Sequence, residues 1–294
     1  MKRVALMLLL TVGCEGPDFE PASIVRAPRV IAVVAAPVEA TAGEAVTFTP
    51  FVASPDAAAL TLEWEVDLGV PALAAAAGQS LEGEPRAIAL ETDGDVARLP
   101  AEETRAALDA LLARVGDAPP GTPEHVVRYV YETVGLTLIA RFTLRADGEV
   151  AMEGFKRFSL VAAPTSLTNP PPPRFRVGDA WVSARGPDPF DCAPEAEPPR
   201  VPAGEAVVLA PEPDEPWLET FPALDLEGDV ITGVEDAYYS WFSVAGEFSF
   251  ETTRPPGRTT EWTAPDTPGT YPLWLVVRDG HLGASACRTL VSVE

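Results

Sequence analysis

Gly269-Thr270-Tyr271-Pro272-Leu273-Trp274-Leu275-Val276-Val277-Arg278-Asp279-Gly280 is the stretch that decides the fold. Tyr271, Leu273, Leu275 and Val277 recur at every second residue, which places them on one face of a strand. Trp274 falls on the other face. Asp279-Gly280 then reads as a tight-turn dipeptide leading into a last strand, about 286–293. The same pattern occurs once before. Leu138, Ala140, Phe142 and Leu144 form an inward face, with Thr137, Arg141, Thr143 and Arg145 on the wet side. Asp147-Gly148 supplies that turn, and a final strand follows at about 149–161.

Two more matches appear in the same order. Ala42-Gly43-Glu44-Ala45-Val46 returns as Ala203-Gly204-Glu205-Ala206-Val207, each ahead of an apolar run. A tryptophan then sits inside a strand-like segment in each half, Trp64 and Trp241. Three matches in one order indicate a duplicated fold. Between the halves, Pro170 to Pro173 favour a stiff polyproline II spacer and mark a boundary. The first half carries an insertion. Leu108, Leu111, Leu112 and Val115 have helical spacing behind Glu102 and Glu103, and Thr122-Pro123-Glu124 opens a second helix that Gly135 stops. Residues 72–77 read equally as a short helix or a connection.

The reading is therefore mainly β, two sandwich domains in tandem, the first with a helical insertion at about 100–134. The boundaries are a leader at 1–14, a tether at 15–27, domain 1 at 28–163, a proline-rich linker at 164–173 and domain 2 at 174–294. The second half also carries Leu224-Asp225-Leu226-Glu227-Gly228-Asp229 ahead of Trp241, then Trp262-Thr263-Ala264-Pro265 and Pro268-Gly269-Thr270-Tyr271. Together with the Arg278-Asp279-Gly280 turn these resemble the immunoglobulin-like modules of bacterial surface proteins, akin to PKD and cadherin-like domains. Leu226 stands where that family has proline, and residues 233–237 look like an insertion. The resemblance implies a seven-strand sandwich, a fold that hosts many functions.

The start of the chain points to an address. Lys2 and Arg3 precede the apolar run Val4 to Val12, which is too short to span a bilayer. Thr11-Val12-Gly13-Cys14 resembles a lipobox, with Thr11 where leucine is usual. That resemblance implies an acylated Cys14, membrane attachment and an envelope location, outer membrane before inner, as in myxobacterial-type lipoproteins. The formal charge of −23 over 294 residues repels phosphate backbones and excludes direct nucleic-acid binding. Lipidation of Cys14 leaves Cys192 and Cys287, which pair in an oxidising compartment or remain as two buried thiols.

Chemistry is sparse. His125 and His281 lack a second histidine at metal-pair spacing and read as surface residues, His281 within an exposed turn. No His-Glu-x-x-His, Gly-x-Ser-x-Gly or Walker loop occurs. No cofactor is expected apart from calcium at a candidate acidic turn, Asp225, Glu227 and Asp229 with Asp279, whose alternative is a solvated turn bonded to its own amides. Trp217, in the loop from Pro211 to Pro222, and Trp274 are candidate partner-binding residues, with burial of Trp217 as the alternative. The function expected is a non-enzymatic, lipid-anchored envelope protein with a structural or protein-interaction role. The alternatives are a carbohydrate or other envelope-ligand binding module and a hydrolase accessory.

Overall fold

The computed structural model describes residues 22–55, 58–67, 87–115, 123–185, 190–225 and 227–294. Cys14 and its leader, most of the expected tether, residues 72–77 and Thr122 lie outside the described residues.

The first half runs β1 (Arg29–Ala36), β2 (Glu39–Thr41), β3 (Val46–Ala53), β4 (Leu60–Asp67), β5 (Ala87–Ala89), β6 (Glu91–Asp93) and β7 (Val96–Leu99). Helices α1 (Ala101–Val115) and α2 (Pro123–Thr133) follow, then β8 (Leu136–Ala146) and β9 (Glu149–Val161). The second half runs β10 (Phe175–Val177), β11 (Ala180–Ala184), β12 (Cys192–Pro194), β13 (Arg200–Val201), β14 (Ala206–Pro211), β15 (Thr220–Leu224) and β16 (Val230–Val234). It ends with β17 (Tyr238–Ser243), β18 (Glu247–Phe248), β19 (Thr252–Thr253), β20 (Thr260–Thr263), β21 (Gly269–Arg278) and β22 (Ala284–Val293).

These strands build two sandwiches of matching topology. In the first, the sheet β1-β3-β7-β6 faces β2-β9-β8-β4-β5; in the second, β12-β11-β10-β14-β20-β18 faces β13-β22-β21-β17-β19. The first strand of each pairs with the strand after the repeated Ala-Gly-Glu-Ala-Val turn. A short strand ahead of that turn then crosses to the other sheet and pairs in parallel with the last strand, β2 with β9 and β13 with β22. That crossover, with the tryptophan strand beside the final hairpin, makes both sandwiches immunoglobulin-like. Gly43 and Gly204 have φ of 83° and 72°, a left-handed conformation that glycine adopts freely. Each core gathers round its tryptophan, Trp64 with Phe48, Phe142 and Phe158, and Trp241 with Phe175, Leu275 and Trp262.

The helices lie between β7 and β8, as the sequence predicts. Leu108, Val127, Val130 and Leu136 bury together. Gly135, at φ 86°, ends α2 by donating its amide to the Val130 carbonyl. Cys192 and Cys287 form a disulfide, with Cα atoms 5.6 Å apart.

The sandwiches are not beads on a spacer. The outer face of β1 and β3 packs on the outer face of β21 and β22. Ile31, Ala32, Phe51 and Ala53 meet Trp274, Val276 and Ala286 in a buried apolar seam. A β-bulge makes this possible, because Ile31 is an extra residue between Val30 and Ala32. It turns two consecutive side chains outward, while Val30 and Val33 stay in the first core. Burying a side chain the size of Phe51 or Val276 contributes roughly 1.5 to 3 kcal/mol.

Two expectations are corrected by this seam. The end of the tether is docked: Ile24 bridges Ser243, the Val25 amide donates to the Ser243 carbonyl at 2.8 Å, and the Val25 side chain is fully buried. The proline-rich linker is a strap laid along the joint. Asn169 Nδ2 donates to the Ala35 carbonyl at 2.7 Å, and its Oδ1 accepts the Ala284 amide at 3.0 Å. Ser285 Oγ donates to the Pro171 carbonyl at 2.8 Å. One asparagine thus bonds both sandwiches, which a free spacer would not do.

Candidate functional site

Asp147-Gly148 closes β8 onto β9 directly, with Ala146 opposite Glu149. Asp279-Gly280, expected to make the same tight turn, opens a longer one: Arg278 pairs with Ala284, leaving residues 279–283 as a loop. The extra residues fold back toward the first sandwich and wall a cleft of about 710 Å³. Its other walls are the bulged segment of β1, the β8–β9 hairpin around Phe142, Met152 and Phe155, and Tyr238 of β17. That volume suits a small ligand.

Two cations face this space. Lys156 occupies the inward register of β9, opposite Ala140 and between the core positions Met152 and Phe158. It lies where the core opens onto the cleft, and its Nζ donates to the Leu282 carbonyl of the second sandwich. Burial pushes the ammonium down to about 8, against the pull of Asp279 and with the push of Arg278. Arg278 donates from Nη2 to the Ile31 carbonyl at 2.9 Å, at the bulge, and from Nη1 to Ser240 Oγ at 3.2 Å. Burial alone lowers its pKa. Both cations bond neutral oxygens, and among the described residues neither forms a salt bridge.

Acids collect behind the loop. Asp279 is 1% exposed, and its Oδ1 accepts the His281 amide at 2.8 Å. His281 is not the exposed turn residue expected. Its ring stacks on Phe221 with centroids 3.8 Å apart, and Nε2 lies 3.4 Å from Glu39 Oε1. The other Glu39 oxygen is buried without a partner. Glu235 is also buried, and desolvation, with Asp279 and Glu219 nearby, raises its pKa.

The remaining candidates fall elsewhere. Asp225 Oδ1 accepts the amides of Glu227 at 3.0 Å and Asp229 at 2.8 Å, the arrangement of a self-bonded turn. Asp279 belongs to the cleft loop instead. Among the described residues no three His, Cys, Asp or Glu side chains gather as a metal ion would require. Trp274 is corrected from a partner-binding residue to a seam residue, 3% exposed against the first sandwich. Trp217 is half-buried against the second core. Its loop is pinned by Glu215, which accepts Tyr239 Oη at 2.7 Å and Arg258 Nη2 at 2.7 Å. Burial works against the Glu215 charge, yet these donors hold its pKa below the usual value.

Sequence reasoning missed Lys156, Arg278 and the seam. The signal for Lys156 was present, a lysine on the inward alternation Met152, Gly154, Lys156, Phe158, Leu160, and the sole lysine besides Lys2. The seam was encoded by two runs without polar alternation, Val30 to Ala36 and Trp274 to Val277, which read as strands buried on both faces.

No protein-family model matches the chain, and no curated protein does. Among solved structures it is similar to the D0-D1 domain of intimin, at 12% identity and a TM-score of 0.22, over 90% of this chain and 98% of that one. It is similar to the Yersinia pseudotuberculosis adhesin InvE at 13% identity and a TM-score of 0.21, over 90% of this chain and 58% of that one. A Bacteroides ovatus mixed-linkage glucan utilization locus protein, SGBP-B in complex with a heptasaccharide, gives 12% identity and a TM-score of 0.20, over 91% and 47%. The chain thus spans under two thirds of the last two structures. The immunoglobulin-like assignment rests on strand order and register within the chain itself.

Proposed function

We propose that this protein is a non-enzymatic, lipid-anchored component of the cell envelope that presents a rigid two-sandwich body to a protein partner. The observation that carries this reading is the buried seam, which converts two modules into one block with fixed faces. The acylated Cys14 tethers the block to the outer membrane. No helix among the described residues is long and apolar enough to cross a membrane.

One face offers itself to a partner. Tyr129 Oη of α2 donates to the Gly228 carbonyl at 3.2 Å, seating the β15–β16 hairpin on the helix. Around this contact Val126, Tyr129, Val230 and Ile231 are 37–50% exposed. Apolar side chains grouped at the surface mark interaction sites more often than scattered ones do. In-cell crosslinking of the full-length protein, followed by mass spectrometry, tests the reading against Cys14→Ala and the double variant Val126→Glu/Ile231→Glu. One or two stoichiometric proteins captured by the wild type and lost from both variants is the expected result. Identical capture by all three, or none by the wild type, overturns it.

A further inference from the structure

We propose that the cleft between the sandwiches binds a small ligand through a carboxylate group, held by Lys156 and Arg278 and flanked by Tyr238. The cleft is open and of ligand size, and it carries two cations that no salt bridge occupies among the described residues. Lys156 gives one proton to Leu282 and keeps two donors; Arg278 uses Nη1 and Nη2 once each and keeps further N–H groups. Asp279 does not neutralise both, because one carboxylate stands against two cations and its Oδ1 is directed to the His281 amide instead of to a salt bridge with either. Met152, on the same face of β9 as Lys156, and Tyr238 line the cleft and are half-buried, a largely apolar surface for a sugar face or a methyl-bearing side chain.

The charge of −23 opposes any anion at long range, but this field is screened beyond about 8 Å in physiological salt. Inside the cleft the two cations act at bonding distance and in lower dielectric, so the local term decides. A phosphate carries more charge past the acidic surface and meets Asp279 and the rim Glu153, so a monoanion fits better.

The charged and titratable groups that line the cleft with Lys156 are Arg278 at the end of β21, Asp279 and His281 of the loop, Tyr238 of β17 and Glu153 of its own strand. Its ammonium titrates near 8, so affinity falls as the pH rises from 7 to 9 and the cation is lost.

The shared chemistry has two sources, a uronic acid or a peptide C-terminus. Isothermal titration of the full chain with D-glucuronate against D-glucose, and with N-acetyl-alanyl-alanine against its C-terminal amide, separates them. The expected result is millimolar or tighter binding of at least one acid, with its neutral counterpart rejected. Losing one charge-assisted hydrogen bond in Lys156→Gln lowers that affinity about tenfold or more, and Lys156→Arg restores it. Binding of neither acid, equal binding of a neutral form, or unchanged affinity in a folded Lys156→Gln overturns the proposal.

Discussion

The two sandwiches share a topology but differ in how they are held. The second has the Cys192–Cys287 bridge and satisfied indoles in its core, where Trp241 Nε1 donates to Thr253 Oγ1 at 3.2 Å and Trp262 Nε1 to the Ala245 carbonyl at 3.1 Å, although Trp274 Nε1 in the seam is buried without a partner. The first has no bridge among its described residues, and the buried Trp64 Nε1 lacks a partner. It carries two helices between strands and gains the second sandwich as a wall for β1 and β3. The difference teaches that duplicated folds need not duplicate their stabilisation. One copy is stapled from within, while the other leans on its neighbour.

The bridge offers the largest effect. It closes a 95-residue separation, worth about 4 to 5 kcal/mol in the chain-entropy view. Cys192→Ala/Cys287→Ala should lose about 2 to 5 kcal/mol by denaturant unfolding. Hydrogen exchange should rise in β21 and β22 more than in β8 and β9. Equal loosening of both halves would mean that the first sandwich has no stability of its own.

Phe51→Ala attacks the seam instead. Phe51 is 5% exposed and stacks on Phe190 with centroids 4.8 Å apart. Truncation should cost about 3 kcal/mol and split a single calorimetric transition into two, the first sandwich melting earlier. One undivided transition at lower temperature would show that the strap around Asn169 suffices to couple the halves.

The tryptophans sharpen the comparison on a smaller scale. Trp→Phe removes similar volume at 64 and 241, but only Trp241 loses a hydrogen bond, while Trp64 sheds an unsatisfied donor. Trp241→Phe should therefore be more destabilising than Trp64→Phe by about 1 kcal/mol or more, read from paired denaturation curves. Equal costs would mean that water satisfies Trp64 in solution.

How much of this was legible follows from what each pattern reports. Period-two alternation exposed β8 and β21, and the Gly135 stop exposed α2, because these depend on neighbours within a few residues. The alternation even placed Trp274 on the outward face, but it cannot say what covers that face; the cover comes from Phe51, more than two hundred residues away in sequence. The prolines at 170–173 were read by local stiffness alone. Their role as a strap depends on Asn169 meeting Ala35 and Ala284, a contact with no local signature. The cleft was hidden for a third reason. Asp279-Gly280 and Asp147-Gly148 look alike as dipeptides, and only the register of the flanking strands distinguishes a two-residue turn from a five-residue loop.

That loop brings the smallest effect and a direct contrast between the halves. Asp147 sits exposed in its short turn, whereas Asp279 is buried and faces Glu235, also buried. Desolvation raises the Glu235 pKa above its unfolded value, so the native state holds this proton more tightly than the unfolded chain does. The sign follows: the contribution of Glu235 is fully present at acid pH, below the unfolded carboxylate value, and is lost as pH rises through the raised folded value. At pH 7 the group is a net burden. Glu235→Gln removes the charge, and its amide oxygen still accepts the Glu219 amide, which now meets Glu235 Oε2 at 2.8 Å. The variant should melt slightly above wild type at pH 7, and the gap should close as the pH falls toward 4. Glu149→Gln, on the exposed end of the first sandwich's last hairpin, should show no such pH-dependent gap. A gain at 235 that persists at acid pH would locate its cause in packing rather than in the buried charge.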